Sequence, residues 1–162
     1  FLSLGTNKGD RIFNLKNAVS MIRKKLIMET LSSIYETEPL YLTNQEKFLN
    51  CVVKGLTFAS PLTLLHVLQE IEEEIGRERN HVQDKGPRII DIDILLYGEQ
   101  IILSDLLTIP HPGIYEREFV LRPLLEIAPE VKDPASGYLF SVFLNHLEKQ
   151  GVLMYAKAEE II

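Results

Sequence analysis

The segment GPRIIDIDILLYG, residues 86–98, places the strongest constraint on what this chain can fold into. Isoleucine alternates with aspartate over residues 90–94, and this pattern predicts a strand because side chains on a β-strand point alternately to its two faces. The isoleucines would lie on a buried face and Asp91 and Asp93 on the other, about 7 Å apart. Like charges this close repel each other, so the arrangement is unfavourable unless solvent or a cation compensates it.

Composition is that of an ordinary globular protein. Of 162 residues, 46% are hydrophobic and 25% are charged, which predicts a single domain over residues 1–162. The formal net charge of −6 argues against a general binder of nucleic acid or of an anionic membrane, because both ligands favour a basic surface. No apolar run approaches the ~20 residues of a membrane span, and no signal peptide is visible.

Cysteine usage indicates a reducing compartment. Cys51 is the only cysteine, which excludes an internal disulfide and favours the cytoplasm, or an organellar matrix in a eukaryote. It lies in the apolar run 51–53, where a buried, unreactive thiol is favoured over a nucleophile. The chain begins with Phe1, already in a predicted strand, which indicates either trimming of a few residues or a domain of a longer polypeptide.

Apolar periodicity and turn residues predict alternating strands and helices. The predicted strands are 1–4, 31–35, 48–57 and 90–95, with one helix after Asp10 and a second from Ser60 to Gly76. Aspartate and serine are suitable helix N-caps, and glycine is a suitable C-cap. The order β-α-β-β-α-β is that of a ferredoxin-like α+β sandwich with an antiparallel sheet. A C-terminal extension is predicted to contain a Pro-rich loop at 109–123 and a helix at 140–147.

Asp91 and Asp93 form a candidate Mg²⁺ site, because Mg²⁺ prefers one or two carboxylates together with waters and substrate phosphates. Two aspartates alone are more simply explained by a solvated strand face. The preceding loop, however, carries four cations in an acidic chain: Arg77, Arg79, Lys85 and Arg88. Guanidinium groups bind phosphate oxygens bidentately, so the combination indicates a polyphosphate nucleotide. The alternative is that Glu78 and Asp84 pair with these cations at the surface.

A second segment, IPHPGIYEREFVLRPL at 109–124, carries His111, Arg117, Phe119 and Arg122 between prolines. These side chains can contact phosphate and a flat ring, although a purely structural loop explains them almost as well. The signature G-x-x-x-x-G-K-S/T is absent, and so is G-x-G-x-x-G after the first strand, which argues against P-loop and simple Rossmann proteins. Without a Cys/His cluster, a structural zinc site is not predicted.

Taken together, the motifs resemble those of the 6-hydroxymethyl-7,8-dihydropterin pyrophosphokinase family of folate biosynthesis. The resemblance runs through SLGTNKGD, YETEPL, FLNCVV, GRER, GPRIIDIDILLYG and PHPGIYEREFVLRPLLEIAP, and covers nearly the whole chain. It implies a ferredoxin-like, Mg²⁺-dependent enzyme that transfers the β,γ-diphosphate of ATP to a hydroxymethyldihydropterin and releases AMP. It also implies a monomer, unless the domain is fused to another folate-pathway domain. Lys85 is a departure, because many members carry tryptophan there.

The resemblance also assigns residues to roles. Asp91 and Asp93 would hold two Mg²⁺ ions, Asp91 would also orient the hydroxymethyl oxygen, and Arg77 and Arg88 would complete the catalytic set. The residues implied for ATP are Gln69, Glu72, Arg77, Arg79, Arg88, Ile94, Thr108, His111 and Arg117. Those implied for the pterin are Thr37, Leu40, Phe48, Asn50, Asp91 and Phe119. In this set the two phenylalanines would stack on the ring and the asparagine would bond its edge.

Two other functional classes stay open at this level. An RNA-binding module also uses a ferredoxin-like sheet, but it needs exposed aromatics on two central strands and a basic face, which the acidic balance and the strand carboxylates oppose. A D-x-D nucleotidyl- or glycosyltransferase would likewise depend on a metal. Its products differ, because only a diphosphotransferase converts ATP to AMP without freeing pyrophosphate.

Overall fold

Residues 1–39, 44–76 and 87–162 are described by a computed structural model of the chain. The elements in these ranges are β1 (Leu2–Thr6), α1 (Arg11–Arg23), β2 (Ile27–Leu31), β3 (Ile34–Thr37), β4 (Phe48–Leu56), α2 (Pro61–Ile75), β5 (Asp91–Ile94), β6 (Ile102–Leu103), β7 (Thr108–Ile109), a 3₁₀ helix (Pro112–Tyr115), α3 (Glu118–Ile127), α4 (Phe140–His146), β8 (Leu153–Ala156) and α5 (Ala158–Ile161). No helix in these ranges is long and apolar enough to cross a membrane.

The main sheet is antiparallel, with strand order β5–β1–β4–β3–β8 and with β2 also paired to β4. A first strand lying between the third and the last strands of a βαββαβ unit is the ferredoxin-like arrangement, so that prediction is confirmed. The strand predicted at 31–35 is in fact two strands, β2 and β3. They are separated at Ser32, whose hydroxyl accepts a hydrogen bond from Val52 N at 2.9 Å and so takes the place of a backbone carbonyl.

Two apolar clusters cover opposite faces of the sheet. The first lies under α1 and α2 and includes Cys51 and Val53, whereas the intervening Val52 belongs to the second cluster, under α3 and α4. This alternation along β4 follows from the two-residue period of a strand. Cys51 is fully buried, which confirms that part of its prediction, and burial raises the pKa of its thiol to about 12, which disfavours the reactive thiolate.

Both predicted helix starts are confirmed by their caps. The Asp10 carboxylate accepts a hydrogen bond from Phe13 N at 2.9 Å, and the Ser60 hydroxyl accepts one from Thr63 N at 3.2 Å. Gly76 ends α2 with φ of 104°, a left-handed conformation that glycine adopts without the steric cost of a Cβ. Each cap fixes where the apolar stripe of its helix begins or ends relative to the sheet.

The prediction of a Pro-rich loop at 109–123 is wrong for its second half. Helix α3 begins at Glu118 and continues through Pro123, although an internal proline removes a helix hydrogen bond and costs about 3 kcal/mol. The helix forms because Val120, Leu121 and Leu124 are all buried in the second cluster, and each buried aliphatic side chain contributes roughly 1.5–3 kcal/mol. Strands β6, β7 and β8 were not predicted either, because they are short and lack clear alternation.

Gly55 provides a test of the packing between β4 and the start of β2. A Cβ at this position would lie 2.9 Å from the carbonyl oxygen of Ile27 and would also overlap the side chain of Leu26. We expect Gly55→Ala to lower the free energy of unfolding by about 1–3 kcal/mol, the usual cost of overpacking. Urea denaturation measures this change. Unaltered stability would contradict the close approach of β2 to β4.

Candidate active site

A cavity of about 220 Å³ opens on the sheet face that packs against α3. Nine residues that were predicted from the sequence line it: Thr37, Phe48, Asn50, Arg88, Asp91, Asp93, His111, Arg117 and Phe119. The structure therefore brings together the carboxylate pair, three of the predicted cationic or imidazole side chains and most of the residues implied for the pterin. These residues come from three strands, from the segment before β5 and from the region around the start of α3, so the fold rather than sequence proximity assembles the site.

The floor of the cavity follows from the register of three neighbouring strands. Gly5 on β1 is paired with Asp91 on β5 on one side and with Asn50 on β4 on the other. Paired residues in an antiparallel ladder point to the same face, so Asp91 and Asn50 flank a residue that has no side chain. A Cβ at position 5 would lie 3.1 Å from Asn50 Oδ1. Glycine thus leaves the space between the carboxylate and the amide open.

The carboxylate pair is held in a strained electrostatic setting. Arg88 Nη1 is ion-paired with Asp91 Oδ2, and His111 Nε2 lies 3.7 Å from Asp93 Oδ2. Burial, the charge of Asp91 and the charge of Glu72 raise the pKa of Asp93 to about 7, although two arginines oppose the shift. A divalent cation at the pair would favour the charged form of Asp93. The site is therefore poorly balanced without a cation.

The donor set fits Mg²⁺. Asp91 and Asp93 supply hard oxygen ligands from a rigid strand, and Asp93 keeps 37% of its side-chain surface exposed. The described residues contain no group of three or more His, Cys, Asp or Glu side chains that could hold a metal ion. Mg²⁺ prefers one or two carboxylates, with waters and phosphate oxygens in its other coordination positions. Structural Zn²⁺ instead needs four protein ligands.

His111 is oriented by two backbone hydrogen bonds. Its backbone N–H donates to Leu95 O at 2.9 Å, and its ring Nδ1 accepts from Gly113 N at 3.0 Å. Because Nδ1 accepts, the proton of the neutral ring is on Nε2, the nitrogen nearest Asp93. Burial and the charge of Arg117 lower the pKa of His111. The shift favours the neutral ring, whose Nε2–H can donate a hydrogen bond.

Arg117 has a buried donor for which the described ranges provide no partner. Its Nε makes no hydrogen bond within the described part of the chain, although it has no contact with solvent. The guanidinium carbon lies 5.9 Å from the centre of the Phe119 ring, and the side chain passes directly over Gly113, where a Cβ would overlap it. A buried unpaired donor costs about 1–3 kcal/mol, and an anionic oxygen in the cavity would satisfy it. Arg117 is thus suited to bind an anion in the cavity.

Part of the cavity lining is uncharged. Asn50 is 3% exposed, and its Nδ2 donates a hydrogen bond to Thr37 Oγ1 at 3.0 Å, which fixes the plane of the carboxamide. Phe48 and Phe119 also line the cavity. Aromatic faces beside a fixed amide are suited to a flat heteroaromatic ring, since stacking holds the faces while the amide bonds the edge.

Several predicted nucleotide residues lie away from this cavity. Gln69, Ile94 and Thr108 do not line it, and the Glu72 carboxylate accepts a hydrogen bond from Ile92 N at 2.7 Å. Glu72 thereby satisfies a backbone donor on the outer edge of β5. The assignment of these four residues to ATP stays a prediction. Leu40, Arg77 and Arg79, together with Lys85, lie outside the described residues.

Asn7 is a site residue that sequence reasoning missed. It is 1% exposed, its Oδ1 accepts from Arg88 N at 2.7 Å, and its N–H donates to Arg88 O at 3.0 Å. Its Nδ2 donates to Gln45 Oε1 and to Glu46 O, both at 3.1 Å. Asparagine in the turn TNKGD signals a backbone-bonding side chain, but a local pattern cannot reveal partners so distant in sequence. Asn7 joins the Arg88 segment to the residues before Phe48.

Comparison with known proteins gives a consistent result. The family described as 7,8-dihydro-6-hydroxymethylpterin-pyrophosphokinase (HPPK) matches residues 1–129. The 2-amino-4-hydroxy-6-hydroxymethyldihydropteridine pyrophosphokinase of Aquifex aeolicus is 42% identical over 134 residues, which are 83% of this chain and 82% of that protein. The crystal structure of Plasmodium falciparum HPPK-DHPS has the same fold, with a TM-score of 0.70 at 21% identity over 89% of this chain and 42% of that chain.

Other relatives are much longer than this chain. The folic acid synthesis protein fol1 of Schizosaccharomyces pombe is 44% identical over 158 residues, which are 96% of this chain but 21% of that protein. Across five curated relatives from fungi, plants and Dictyostelium discoideum, the chain spans between 20% and 28% of their length. The family match and the Aquifex relative nevertheless cover most of the sequence, and this chain belongs to the 7,8-dihydro-6-hydroxymethylpterin-pyrophosphokinase family.

Proposed function

We propose that this chain transfers diphosphate from ATP to 6-hydroxymethyl-7,8-dihydropterin and releases AMP, as a step of folate biosynthesis. One observation carries the proposal. A single cavity joins a carboxylate pair, and an arginine donor that has no partner among the described residues, to two aromatic rings and a fixed amide. The first group suits a metal-bound triphosphate, and the second suits a pterin. The names of the Aquifex and Bacillus subtilis relatives support the same reaction.

In this reaction the hydroxymethyl oxygen of the pterin attacks the β-phosphorus of ATP. The bond from that phosphorus to the α,β-bridging oxygen breaks, AMP leaves with the bridging oxygen, and the attacking hydroxyl loses its proton. The protein supplies positioning and charge stabilisation rather than a covalent intermediate. The carboxylate of Asp91, which lines the cavity, would orient the attacking hydroxyl.

Mg²⁺ would be held by Asp91 and Asp93 and, when bound, would neutralise charge on the triphosphate. Arg117 and His111 would donate to phosphate oxygens from the α3 side of the cavity. Arg88, which is ion-paired with Asp91, lies within reach of the same phosphates and would donate hydrogen bonds to them. Each cation in the cavity then has an anionic partner.

The pterin would lie against the uncharged part of the lining. Phe48 and Phe119 would stack on its faces, while Asn50 and the backbone near Thr37 would bond its edge. Leu40, outside the described ranges, would also contact the pterin. The adenosine would extend toward Gln69, Glu72, Ile94 and Thr108, and Arg77 and Arg79, also outside those ranges, would contact the phosphates. We place the reaction in the cytoplasm or an organellar matrix, and the Pisum sativum relative named as mitochondrial supports the second location.

The carboxylate pair gives the main test of the proposed function. We expect Asp91→Ala and Asp93→Ala each to lower turnover by at least about a hundredfold, because each removes a ligand of a metal that contributes several kcal/mol at the reacting centre. AMP formation from ATP and the pterin is measured against Mg²⁺ concentration. Asp105→Ala, at an exposed acid outside the cavity, is the matched control and should keep wild-type turnover. Near-normal turnover in both cavity variants, or pyrophosphate as a product, would refute the proposal.

The raised pKa of Asp93 predicts a pH-dependent difference in stability. The pKa of Asp93 is about 7 in the folded protein and 3.8 ordinarily. Between these two pH values the folded state therefore holds a proton on Asp93 that the unfolded state releases. This stabilisation is complete below pH 4 and is lost as the pH rises through about 7. Asparagine does not ionise. Without Mg²⁺, Asp93→Asn should therefore match wild type in melting temperature near pH 4 and melt higher above pH 7. A constant difference across this range would contradict the assignment.

The pterin end gives a third test. Asn50→Ala should weaken pterin binding by about 1–3 kcal/mol, because the ring edge would lose its partner in a desolvated site. Binding of an ATP analogue alone should barely change. Calorimetric titrations with each ligand separate the two effects. Loss of affinity for the ATP analogue with unchanged affinity for the pterin would show that the two ends of the cavity are assigned the wrong way round.

A further inference from the structure

Helix α3 begins at the candidate site without a cap of its own. Arg117 is the N-cap residue, and its side chain makes no capping hydrogen bond. The first helical N–H, that of Glu118, is instead bonded to Oε1 of Gln150 at 3.0 Å. A side-chain oxygen that accepts from the first turn of a helix is what a cap provides, and here it comes from a residue 32 positions later in the chain.

Gln150 also holds the residue on the other side of Arg117. Its Nε2 donates to Glu116 O at 2.8 Å, and its own backbone N–H donates to the Glu118 carboxylate. The Glu118 side chain is 3% exposed and also accepts from Arg122. Gln150 therefore fixes the backbone immediately before and immediately after Arg117.

Backbone fixation decides where the Arg117 side chain points. No hydrogen bond from within the described ranges holds its Nε, so the path of the main chain and contact with Gly113 and Phe119 contribute to the orientation of the guanidinium. An arginine has several rotatable bonds, and freedom at its Cα would spread the guanidinium over a wide arc. A fixed N-terminus of α3 limits that spread.

The surroundings of Gln150 favour this role over general packing. Glu148, Lys149 and Gly151 are exposed, so the segment lies on the surface and Gln150 alone of these four turns inward. Removing its amide takes away hydrogen bonds at the start of α3 without opening the apolar cores, neither of which contains it. The segment also lies beyond residues 1–129, to which the family match extends.

We propose that Gln150 is a positioning residue, which caps α3 from the C-terminal segment and thereby directs Arg117 toward the phosphates of ATP. The proposal rests on the proposed function, because it takes Arg117 to be a phosphate ligand. It differs from that function in assigning part of the nucleotide affinity to a residue that touches neither substrate.

The test is a double-mutant cycle on nucleotide affinity. Gln150→Ala should raise the KM for ATP about tenfold and leave the KM for the pterin within about twofold. In a background of Arg117→Ala, the same substitution should have no further effect on the KM for ATP, because there is no guanidinium left to direct. Gln150→Met, which keeps the volume but not the amide, should behave like Gln150→Ala. Lys149→Ala, at an exposed neighbour, should match wild type.

Calorimetry with α,β-methylene-ATP and Mg²⁺ repeats the cycle without chemistry. If the wild-type protein binds this analogue but forms no AMP from ATP and the pterin, the proposed function is refuted. The binding cycle can still be interpreted in that case. A further tenfold loss of analogue affinity in the double variant would instead show that Gln150 supports the fold generally. Wild-type affinity in Gln150→Ala and Gln150→Met would likewise overturn the positioning role. Melting curves of each variant confirm that the compared proteins are folded.

Discussion

The pairing of β5 with β1 is the constraint on which the candidate site depends. Asp91 and Asp93 repel each other by about 2 kcal/mol at 7 Å and an effective dielectric constant of 20. Ile92 and Ile94, on the reverse face, are buried in the first cluster and contribute roughly 1.5–3 kcal/mol each. Burial on one face of the strand thus outweighs repulsion on the other. The fold can hold two carboxylates close together before any ligand compensates them.

The same strand register explains why the site is concave. Asp91 and Asn50 lie on either side of Gly5 and point to one face. Because Gly5 has no side chain, its backbone forms the bottom of the cavity between them. Walls are then needed at both ends. Asn7 anchors the Arg88 segment at one end, and α3 brings Phe119 over the other. Rigid strands below and hydrogen-bonded segments around them are the conditions under which positioning alone can promote phosphoryl transfer.

The sequence predicts the features that rest on local periodicity. Alternation identified β5 and the common face of its aspartates, and Ser60 and Gly76 marked both ends of α2, because caps and alternation are properties of neighbouring residues. Features that rest on distant partners were missed. Pro123 argued against a helix at α3. The helix forms because the second apolar cluster stabilises it, and that cluster exists only in the folded chain. The partners of Asn7 and Gln150 lie 32 or more residues away, beyond any local pattern.

Helix α3 links the stability of the protein to the geometry of the site. Its apolar side, including Leu121 and Leu124, fills the second cluster, while Arg117 and Phe119 at its start line the cavity. A substitution that shifts the buried side of this helix must therefore move the arginine as well, because both belong to one rigid element. Stability and nucleotide affinity are then coupled at positions within α3, as they are at Ile92 and Ile94 on the strand that carries the carboxylates. Helices α1 and α2 on the opposite face contribute none of the described residues that line the cavity. The sheet separates a face that supports the fold from a face that supports both fold and chemistry.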